Sequence, residues 1–489
     1  MTSSGPGAAS RAFEERQQRF AERLRGRGSP GLVGGTIVVV PSITFPSSEL
    51  RKIVGIQYYE ERMLFALLWL RDPSTRILFA TSVPIDREII DYYLSFLDSE
   101  QGVRERADFV AVGDHERLAL TSKLLTYPEA IAKLRAGMVG EDDAYMLPFN
   151  VTSLEQELAD RLDIPIYGPS PALIPLGSKS GSRRVARAAG VAVLDGAEDL
   201  RSLAELEAEL LRLRSRRPPV EAAVIKLNNG FSGQGNAILR LDEFVSPLDR
   251  SPTVFCAQEE SWSSYAEKIA AEGAIVEELV HGPDVASPSV QLRIVPGHDV
   301  EVISTHDQIL GGPDDQVYLG CRFPAEPSYR AAINDCARHV GRVLADEGVI
   351  GLLGIDFVVT GDRRVYLSEI NLRAGGTTHP FFMAQLVTGG RYDHETGELV
   401  AGGRAKHYVA TDNLKSVRYV GLRPAQVIDA LEGARLAYSP SSKTGVTVHL
   451  LGAMKEYGKL GVLCIADSGD DAQSLYDETV AALDALRPL

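Results

Sequence analysis

Two acidic residues that could act together, Asp356 and Glu369, stand in residues 351–376, which read GLLGIDFVVTGDRRVYLSEINLRAGG. Apolar runs flank the polar cluster at 361–364, and this pattern predicts a β-hairpin. Antiparallel pairing about that loop sets Asp356 directly opposite Glu369. The same constant index sum predicts two further pairs, Val358 with Leu367 and Thr360 with Val365.

The predicted pair of opposed carboxylates would be stabilised by a cation. Opposed side chains have Cβ atoms about 5 Å apart, and like charges so placed destabilise a sheet unless a positive charge lies between them. Asn371 lies on the same face as Glu369, because side chains alternate along a strand. The oxygen ligands of Asp356, Glu369 and Asn371 suit Mg²⁺, with Mn²⁺ as the alternative ion, and imply a nucleotide polyphosphate. The competing interpretation is an exposed hairpin whose acids pair with Arg363 and Arg364.

Two lysines and a glycine-rich loop precede this hairpin. Lys179 stands at the start of a helix predicted over 178–189 with a serine cap, where a lysine and free N–H groups can hold an anion together. Lys226 ends a strand that begins at residue 222, and the loop after it can approach a polyphosphate closely. A solvated lysine and a plain flexible hairpin are the alternatives. The loop residues with this potential are Gly230, Ser232, Gly233, Gln234 and Gly235.

Further polar residues follow the strand predicted at 274–280, which reads AIVEELV. Its two acids could accept hydrogen bonds from a ligand, and Asp284 could bind ribose hydroxyls. Arg293 and Arg322 are cations on strands of the same predicted sheet, with ordinary salt bridges as the alternative for each. Neither a Walker A loop nor a nucleophile elbow is present, because their glycine spacings are not matched.

Composition excludes several classes of protein. The 489 residues are 44% hydrophobic and 24% charged, which is typical of a globular protein of two to four domains. The net charge of -15 argues against a general nucleic-acid binder and against a protein that binds anionic lipid. No secretory signal is recognisable, and the longest apolar run, 63–70, is too short to span a bilayer, so a cytoplasmic protein is expected. The four cysteines are expected to be buried, reduced thiols: Cys256, Cys321, Cys336 and Cys464.

Hydrophobic patterns divide the chain into regions of different architecture. Short apolar runs alternate with helical stretches between about 35 and 168, which predicts an open, mostly parallel α/β sheet. The glycines at 31, 34 and 35 precede the first strand, so a dinucleotide site of the Rossmann type is rejected there. Helices are predicted over 11–26, 263–272, 380–387, 426–436 and 472–486, and a second hairpin over 445–450 and 458–467.

The order of these signals, across about 200 residues, resembles the ATP-grasp carboxylate-amine ligases. The resemblance implies ATP bound by the two lysines, by the glycine-rich loop as a phosphate lid, by a linker that contacts adenine and by an acid that contacts ribose. The corresponding residues are Lys179, Lys226, Ser232, Gly233, Gln234, Gly235, Glu277, Glu278, Val280 and Asp284. It implies Mg²⁺ at Asp356, Glu369 and Asn371. Arg373 would stabilise the transferring phosphate and the tetrahedral intermediate, and Arg322 is the candidate for contacting the γ-phosphate.

The resemblance also implies a domain order. An N-terminal pre-ATP-grasp α/β domain would cover 1–172, an ATP-grasp α+β domain 173–380, and a small α+β region 381–489 would complete the ligase. The similarity extends best to the pheganomycin-type peptide ligases of secondary metabolite biosynthesis. Gly354 stands where D-alanine–D-alanine ligases carry an arginine, so their dipeptide product is not expected.

The implied reaction forms a peptide bond. A carboxylate, expected to be that of a nonproteinogenic guanidino amino acid, would become an acyl phosphate and then be joined to the amino terminus of a peptide, with release of ADP and phosphate. A homodimer is the default expectation for such an enzyme. The alternatives are another ATP-grasp activity, namely a small-molecule kinase or a thioester-forming ligase, or a non-catalytic nucleotide-binding protein.

Overall fold

Three β-sheets, of four, five and ten strands, organise the chain. The computed structural model describes residues 6–26, 34–97, 102–138, 143–217, 220–230, 233, 235–257, 260–282, 284–297, 300–311 and 317–486. Within these ranges no helix is both long enough and apolar enough to cross a membrane.

The first sheet is the parallel sheet predicted from the N-terminal pattern. Its strand order is β3-β2-β1-β4, all parallel, and the β-branched run of β1 is almost wholly buried between covering helices. The long 3-10 helix Ile56–Arg71 is buried along most of its length. The elements of this region are α1 Pro6–Gly26, β1 Gly35–Val40, α2 Ser47–Leu50, β2 Thr75–Thr81, α3 Arg87–Leu94, β3 Ala107–Ala111, α4 Leu120–Thr126, α5 Pro128–Gly137, β4 Tyr145–Pro148 and α6 Ser153–Leu162, with a short 3-10 turn at Arg104–Arg106.

A connecting segment and a five-stranded antiparallel sheet follow. The connection contains the 3-10 helix Pro171–Gly177 and the helix α7 Lys179–Ala188, which begins as predicted with Ser178 as its cap. The sheet has the order β5-β9-β6-β7-β8 and carries the Lys226 hairpin at its centre. Its elements are β5 Gly196–Leu200, α8 Leu203–Ser215, β6 Ala222–Leu227, β7 Asn236–Arg240, the 3-10 turn Leu248–Arg250, β8 Val254–Phe255, α9 Trp262–Glu272 and β9 Ala274–Glu278.

The ten-stranded sheet is antiparallel and contains both predicted C-terminal hairpins. Its main order is β14-β13-β10-β11-β12-β17-β16-β15, and β19 joins it by pairing with both β17 and β18. The elements are β10 Pro288–Ile294, β11 Glu301–Gly311, β12 Val317–Phe323, α10 Pro327–Asp346, β13 Gly351–Val359, β14 Val365–Asn371, α11 Thr378–Thr388, β15 Arg391–Asp393, β16 Glu398–Ala401, β17 Arg404–Lys415, α12 Pro424–Gly433, β18 Gly445–His449, α13 Met454–Tyr457, β19 Lys459–Ala466 and α14 Gly469–Asp484, with 3-10 turns at Val417–Tyr419 and Leu451–Ala453.

These sheets confirm the predicted fold class, a parallel α/β region followed by antiparallel α+β regions. The exact domain boundaries stay predictions. The boundary at 172/173 falls within a 3-10 helix and that at 380/381 within α11. The ten-stranded sheet runs across the second boundary, so residues 381–486 extend the sheet that carries the predicted metal site. No disulfide joins the four cysteines, all of which the structure describes, but Cys336 is only half-buried, unlike the other three.

The hairpin formed by β13 and β14 has one irregularity that the sequence did not predict. Asp356 pairs with Glu369, as predicted. A β-bulge follows this pair, so Phe357 faces Leu367 and Val359 faces Val365, and Ser368 is the extra residue. The two further pairs predicted from a constant index sum, Val358 with Leu367 and Thr360 with Val365, are therefore wrong by one residue.

Candidate active site

The predicted metal ligands meet on adjacent strands of the large sheet. Asp356 Oδ2 accepts a hydrogen bond of 2.8 Å from the Asn371 amide, and its Oδ1 accepts one of 2.9 Å from Gln308 Nε2. Burial, and then the negative charge of Glu369, raise the pKa of Asp356 to about 7. A cation bound between two such acids would favour the ionised form of both, and so offset the repulsion between them.

Arg373 and Lys179 flank this group of acids. Arg373 Nη2 donates to the Asn371 side-chain oxygen at 2.7 Å, and burial lowers the pKa of this guanidinium while the two acids oppose the shift. Lys179 Nζ lies 2.5 Å from Glu369 Oε1 and also donates to the carbonyl of Gly230 at 3.0 Å. The lysine at the start of α7 therefore joins the metal ligands to the base of the glycine-rich loop.

Lys226 is held by a buried ion-pair network. Its Nζ lies 2.5 Å from Glu277 Oε1 and donates to Ser368, the bulge residue, at 3.4 Å. The other oxygen of Glu277 lies 3.1 Å from Arg183 Nη1, and the side chains of Arg183 and Glu277 are each only 1% exposed. The carboxylate of Glu277 therefore positions Lys226. The carboxylate of Glu278 is also engaged, since it accepts a bond of 2.8 Å from Arg216.

The glycine-rich loop is described only in part. Ser232 and Gln234 lie outside the described residues. Gly233 has a positive φ of 73°, a conformation that glycine adopts without strain, and it lines the cavity discussed below. The carbonyl of Gly235 accepts bonds from the Leu227 amide and the Tyr265 hydroxyl, so Gly235 closes the base of the hairpin.

One cavity of about 460 Å³ brings most of the predicted residues together. Its lining includes ten of them: Lys179, Lys226, Gly233, Glu277, Glu278, Val280, Asp356, Glu369, Asn371 and Arg373. Gly235, Arg322 and Asp284 do not line it. Arg322 is exposed on β12 and donates to Gln473 at 3.1 Å, so this geometry adds no support to its contact with the γ-phosphate, which stays a prediction. Asp284 packs against Gly361, near the tip of the β13–β14 hairpin, outside the cavity lining. Arg293 forms an ordinary salt bridge with Glu301, which was the alternative to a role in ligand binding.

The cavity lining also contains residues that the sequence did not predict. They come from the loop after β1, from the 3-10 helix and from the residue after β4, and include Phe45, Tyr59, Arg62 and Phe149. Asp412 of β17 lines the cavity as well. One signal could have found part of it, because ligands in open parallel sheets bind beyond the carboxyl ends of the strands, and Phe45 and Phe149 follow two such ends.

Comparison with known proteins agrees with this geometry. The chain is 30% identical to the L-propargylglycine--L-glutamate ligase of Streptantibioticus cattleyicolor over 461 residues, which cover 92% of this chain and 94% of that protein. The chain belongs to the ATP-grasp carboxylate-amine ligases, in the pheganomycin-type peptide ligase family. It is therefore a ligase that forms C–N bonds. Family models described as "IQCH-like, ATP-grasp" and "PGM1 C-terminal domain" match residues 241–395 and 426–479 of the ligase.

Solved structures share the fold of the ligase at low identity. An N5-carboxyaminoimidazole ribonucleotide synthetase in complex with ADP is 16% identical, with a TM-score of 0.54 over 93% of this chain and 98% of that chain. The biotin carboxylase domain dimer of the Hydrogenobacter thermophilus 2-oxoglutarate carboxylase, solved with MgADP, ADP and bicarbonate, is 14% identical, with a TM-score of 0.55 over 91% of this chain and 89% of that chain. These likenesses confirm the fold class.

Proposed function

We propose that this ligase converts a substrate carboxylate into an acyl phosphate with Mg²⁺-ATP and joins the acyl group to an amino group. The phosphoryl group would move from ATP to the carboxylate oxygen, releasing ADP, and the amine would then displace phosphate from the acyl carbon. The observation that carries the proposal is the meeting of two lysines, an opposed pair of acids and Arg373 in one cavity. Phosphoryl transfer depends mainly on such positioning and charge stabilisation.

Each group has a separate task in this proposal. Lys179 and Lys226 would bind the nucleotide phosphates, and the hairpin around Gly233 would cover them and exclude water. Asp356, Glu369 and Asn371 fit a divalent cation, because they supply only oxygen ligands and because a cation relieves the raised pKa of Asp356. Mg²⁺, when bound, supplies charge neutralisation at the phosphates. Arg373 would stabilise the oxyanion during amine attack. Asp284 stays a predicted ribose contact.

The substrates are proposed at two levels. An amino acid and an amine are supported by the name of the 30% identical relative, a ligase of propargylglycine and glutamate. The narrower proposal, a guanidino amino acid joined to a peptide amino terminus, rests on the family resemblance alone. The described cavity offers it no added support, because every described carboxylate in the lining already has a protein partner: Glu277, Glu278, Asp356, Glu369 and Asp412.

Hydroxylamine trapping tests the proposed chemistry. Purified ligase, Mg²⁺-ATP and a panel of amino acids, including guanidino amino acids, L-propargylglycine and L-glutamate, are incubated with hydroxylamine. A ligase of this mechanism yields a hydroxamate in step with ADP, whereas a kinase yields ADP and a stable phosphorylated product. ATP binding without ADP release across the panel would reject catalysis. We also propose a homodimer, as in the Hydrogenobacter structure, which size-exclusion chromatography with light scattering tests.

A further inference from the structure

Arg62 is a buried cation that the proposed phosphate chemistry does not use. It lies on the 3-10 helix and lines the cavity, and its side chain is only 8% exposed. Its guanidinium carbon lies 4.8 Å from the centroid of the Tyr59 ring and 4.7 Å from that of Phe149. Two aromatic rings therefore leave mainly the edge of the guanidinium plane for hydrogen bonding.

One part of that edge is occupied and the rest is open. Arg62 Nη1 lies 3.2 Å from Asp412 Oδ2, and Nε makes a long bond of 3.4 Å to the carbonyl of Tyr59. Among the described residues, no hydrogen bond is made by Nη2. An arginine that lines a cavity with free donors, in a fork that matches a carboxylate, is built to bind an anion.

Asp412 is held rigidly from its other side. His379 and His449 each place Nε2 within 2.9 Å of Asp412 Oδ1, at 2.9 and 2.8 Å. Burial acts to raise the pKa of Asp412, but contacts with His379, His449 and Arg62 hold that pKa well below its ordinary value. Asp412 therefore stays ionised and fixes one side of the guanidinium.

His379, Asp412 and His449 each offer one possible ligand atom, and these three atoms lie within 4.8 Å of one another, as metal ligands do. Two neighbouring cations argue against a metal ion here. Arg62 already occupies the second oxygen of Asp412, and Lys459, whose pKa burial lowers to about 8, lies against the Tyr59 ring at 4.8 Å. A dication would add its charge to these two, whereas an anion would be attracted by both.

We propose that Arg62 binds a substrate carboxylate that remains free throughout the reaction. The activated carboxylate must lie beside Arg373 and the metal ligands. Arg373 and Arg62 both approach Phe149, with guanidinium carbons 5.9 and 4.7 Å from its ring centroid, so the two cations serve the same end of the cavity. The inference rests on the proposed ligase function for its substrates, and it requires that one substrate carry a carboxylate besides the activated one. That group belongs either to the amine substrate or to a dicarboxylic acid substrate.

Binding measurements test Arg62 without requiring turnover. Titration calorimetry in the presence of Mg²⁺ and a non-hydrolysable ATP analogue would compare L-propargylglycine, L-glutamate and the other common amino acids with their carboxamides. We expect the wild type to bind at least one amino acid more tightly than its carboxamide. Arg62→Met should lower the affinity for that amino acid by about 10- to 100-fold, the usual range for a lost charge-assisted hydrogen bond, and leave the affinity for the carboxamide unchanged. Arg62→Lys should be intermediate, since it keeps the charge without the fork.

Two comparisons make the result decisive. The control is Arg87→Met, a surface arginine whose side chain is 86% exposed, which should bind like the wild type. Hydroxamate assays then identify the substrate that carries the free carboxylate. If the amine substrate carries it, Arg62→Met should still form the hydroxamate, because hydroxylamine replaces the amine. If a dicarboxylic acid substrate carries it, Arg62→Met should lose hydroxamate formation with that acid. Equal binding of amino acids and carboxamides by the wild type, equal losses for both in Arg62→Met, or no binding of any amino acid would overturn the inference. If the wild type binds carboxylates selectively but forms no hydroxamate, the proposed function is rejected and the role of Arg62 in binding a carboxylate stands.

Discussion

The affinity of the ligase for its divalent cation should depend on pH through Asp356. This acid has a pKa of about 7 without metal, because burial and the charge of Glu369 both favour its protonated form. A metal ion binds the ionised form and competes with the proton, so binding should strengthen as the pH rises toward 7 and level off above about 8. Between pH 8 and pH 6 the ionised fraction falls from about 0.9 to about 0.1, which corresponds to about tenfold weaker binding, or ~1.4 kcal/mol.

Electron paramagnetic resonance of Mn²⁺, titrated into nucleotide-free ligase at pH 6, 7 and 8, measures this directly. Leaving out the nucleotide removes the titration of its phosphates. Asp356→Asn should lose most of the affinity, and any residual binding should lack the tenfold dependence on pH. A wild-type affinity that is constant from pH 6 to 8, or the same slope in Asp356→Asn, would refute the assignment.

The same shift has a consequence for stability. The folded, metal-free ligase holds the Asp356 proton more tightly than the unfolded chain, whose ordinary carboxyl pKa is 3.8. The contribution of this group to the free energy of unfolding therefore decreases as the pH rises from about 4 to about 7. Mg²⁺ should raise the unfolding temperature more at pH 8 than at pH 6.

Three further outcomes are expected. Glu277→Gln should destabilise the ligase by about 3–5 kcal/mol in urea denaturation, because it leaves Arg183 and Lys226 short of a buried counter-charge. Gly461→Ala should lower the thermal unfolding temperature, because the added methyl carbon would lie 2.0 Å from His449 Nε2, and such overpacking costs roughly 1–3 kcal/mol. Chelation with EDTA should stop ADP release, and Mg²⁺ should restore it.

Matched variants control these experiments. Asp242→Asn removes the acid of an exposed ion pair with Arg240, and should leave the urea denaturation midpoint unchanged. Gly469→Ala adds a methyl group where no other atom lies within 4 Å, so the unfolding temperature should equal that of the wild type. A Glu277→Gln protein as stable as Asp242→Asn, or ADP release that persists at saturating EDTA, would contradict the corresponding prediction.

Local patterns in the sequence predicted the parts of the site that depend on neighbours along the chain. Alternation and turn residues were enough to pair Asp356 with Glu369. They failed at the next residue along each strand, because the bulge at Ser368 depends on tertiary contacts. Leu367 bonds to the carbonyl of Ala192 and Ser368 accepts from Lys226, and both partners are far away in sequence.

The part of the cavity around Arg62 could not be predicted in this way. Arg62 and Asp412 are 350 positions apart, and neither stands in a motif. A 3-10 helix with apolar residues on all sides resembles core structure, and nothing local distinguishes a buried arginine that binds a ligand from one that pairs with an acid. Arg322 illustrates the converse, since a cation on a strand of the right sheet projects to solvent.

The division of the cavity between separate stretches of chain bears on how such enzymes diversify. The proposed phosphate and metal ligands come from α7 and from strands β6, β9, β13 and β14, whereas other lining residues come from a short stretch between 43 and 62, from Phe149 and from β17. If Arg62 binds substrate as proposed, exchanges confined to that stretch should alter substrate choice and leave the proposed phosphate and metal ligands unchanged. Grafting residues 43–62 between relatives is therefore a compact route to ligases with new amide products.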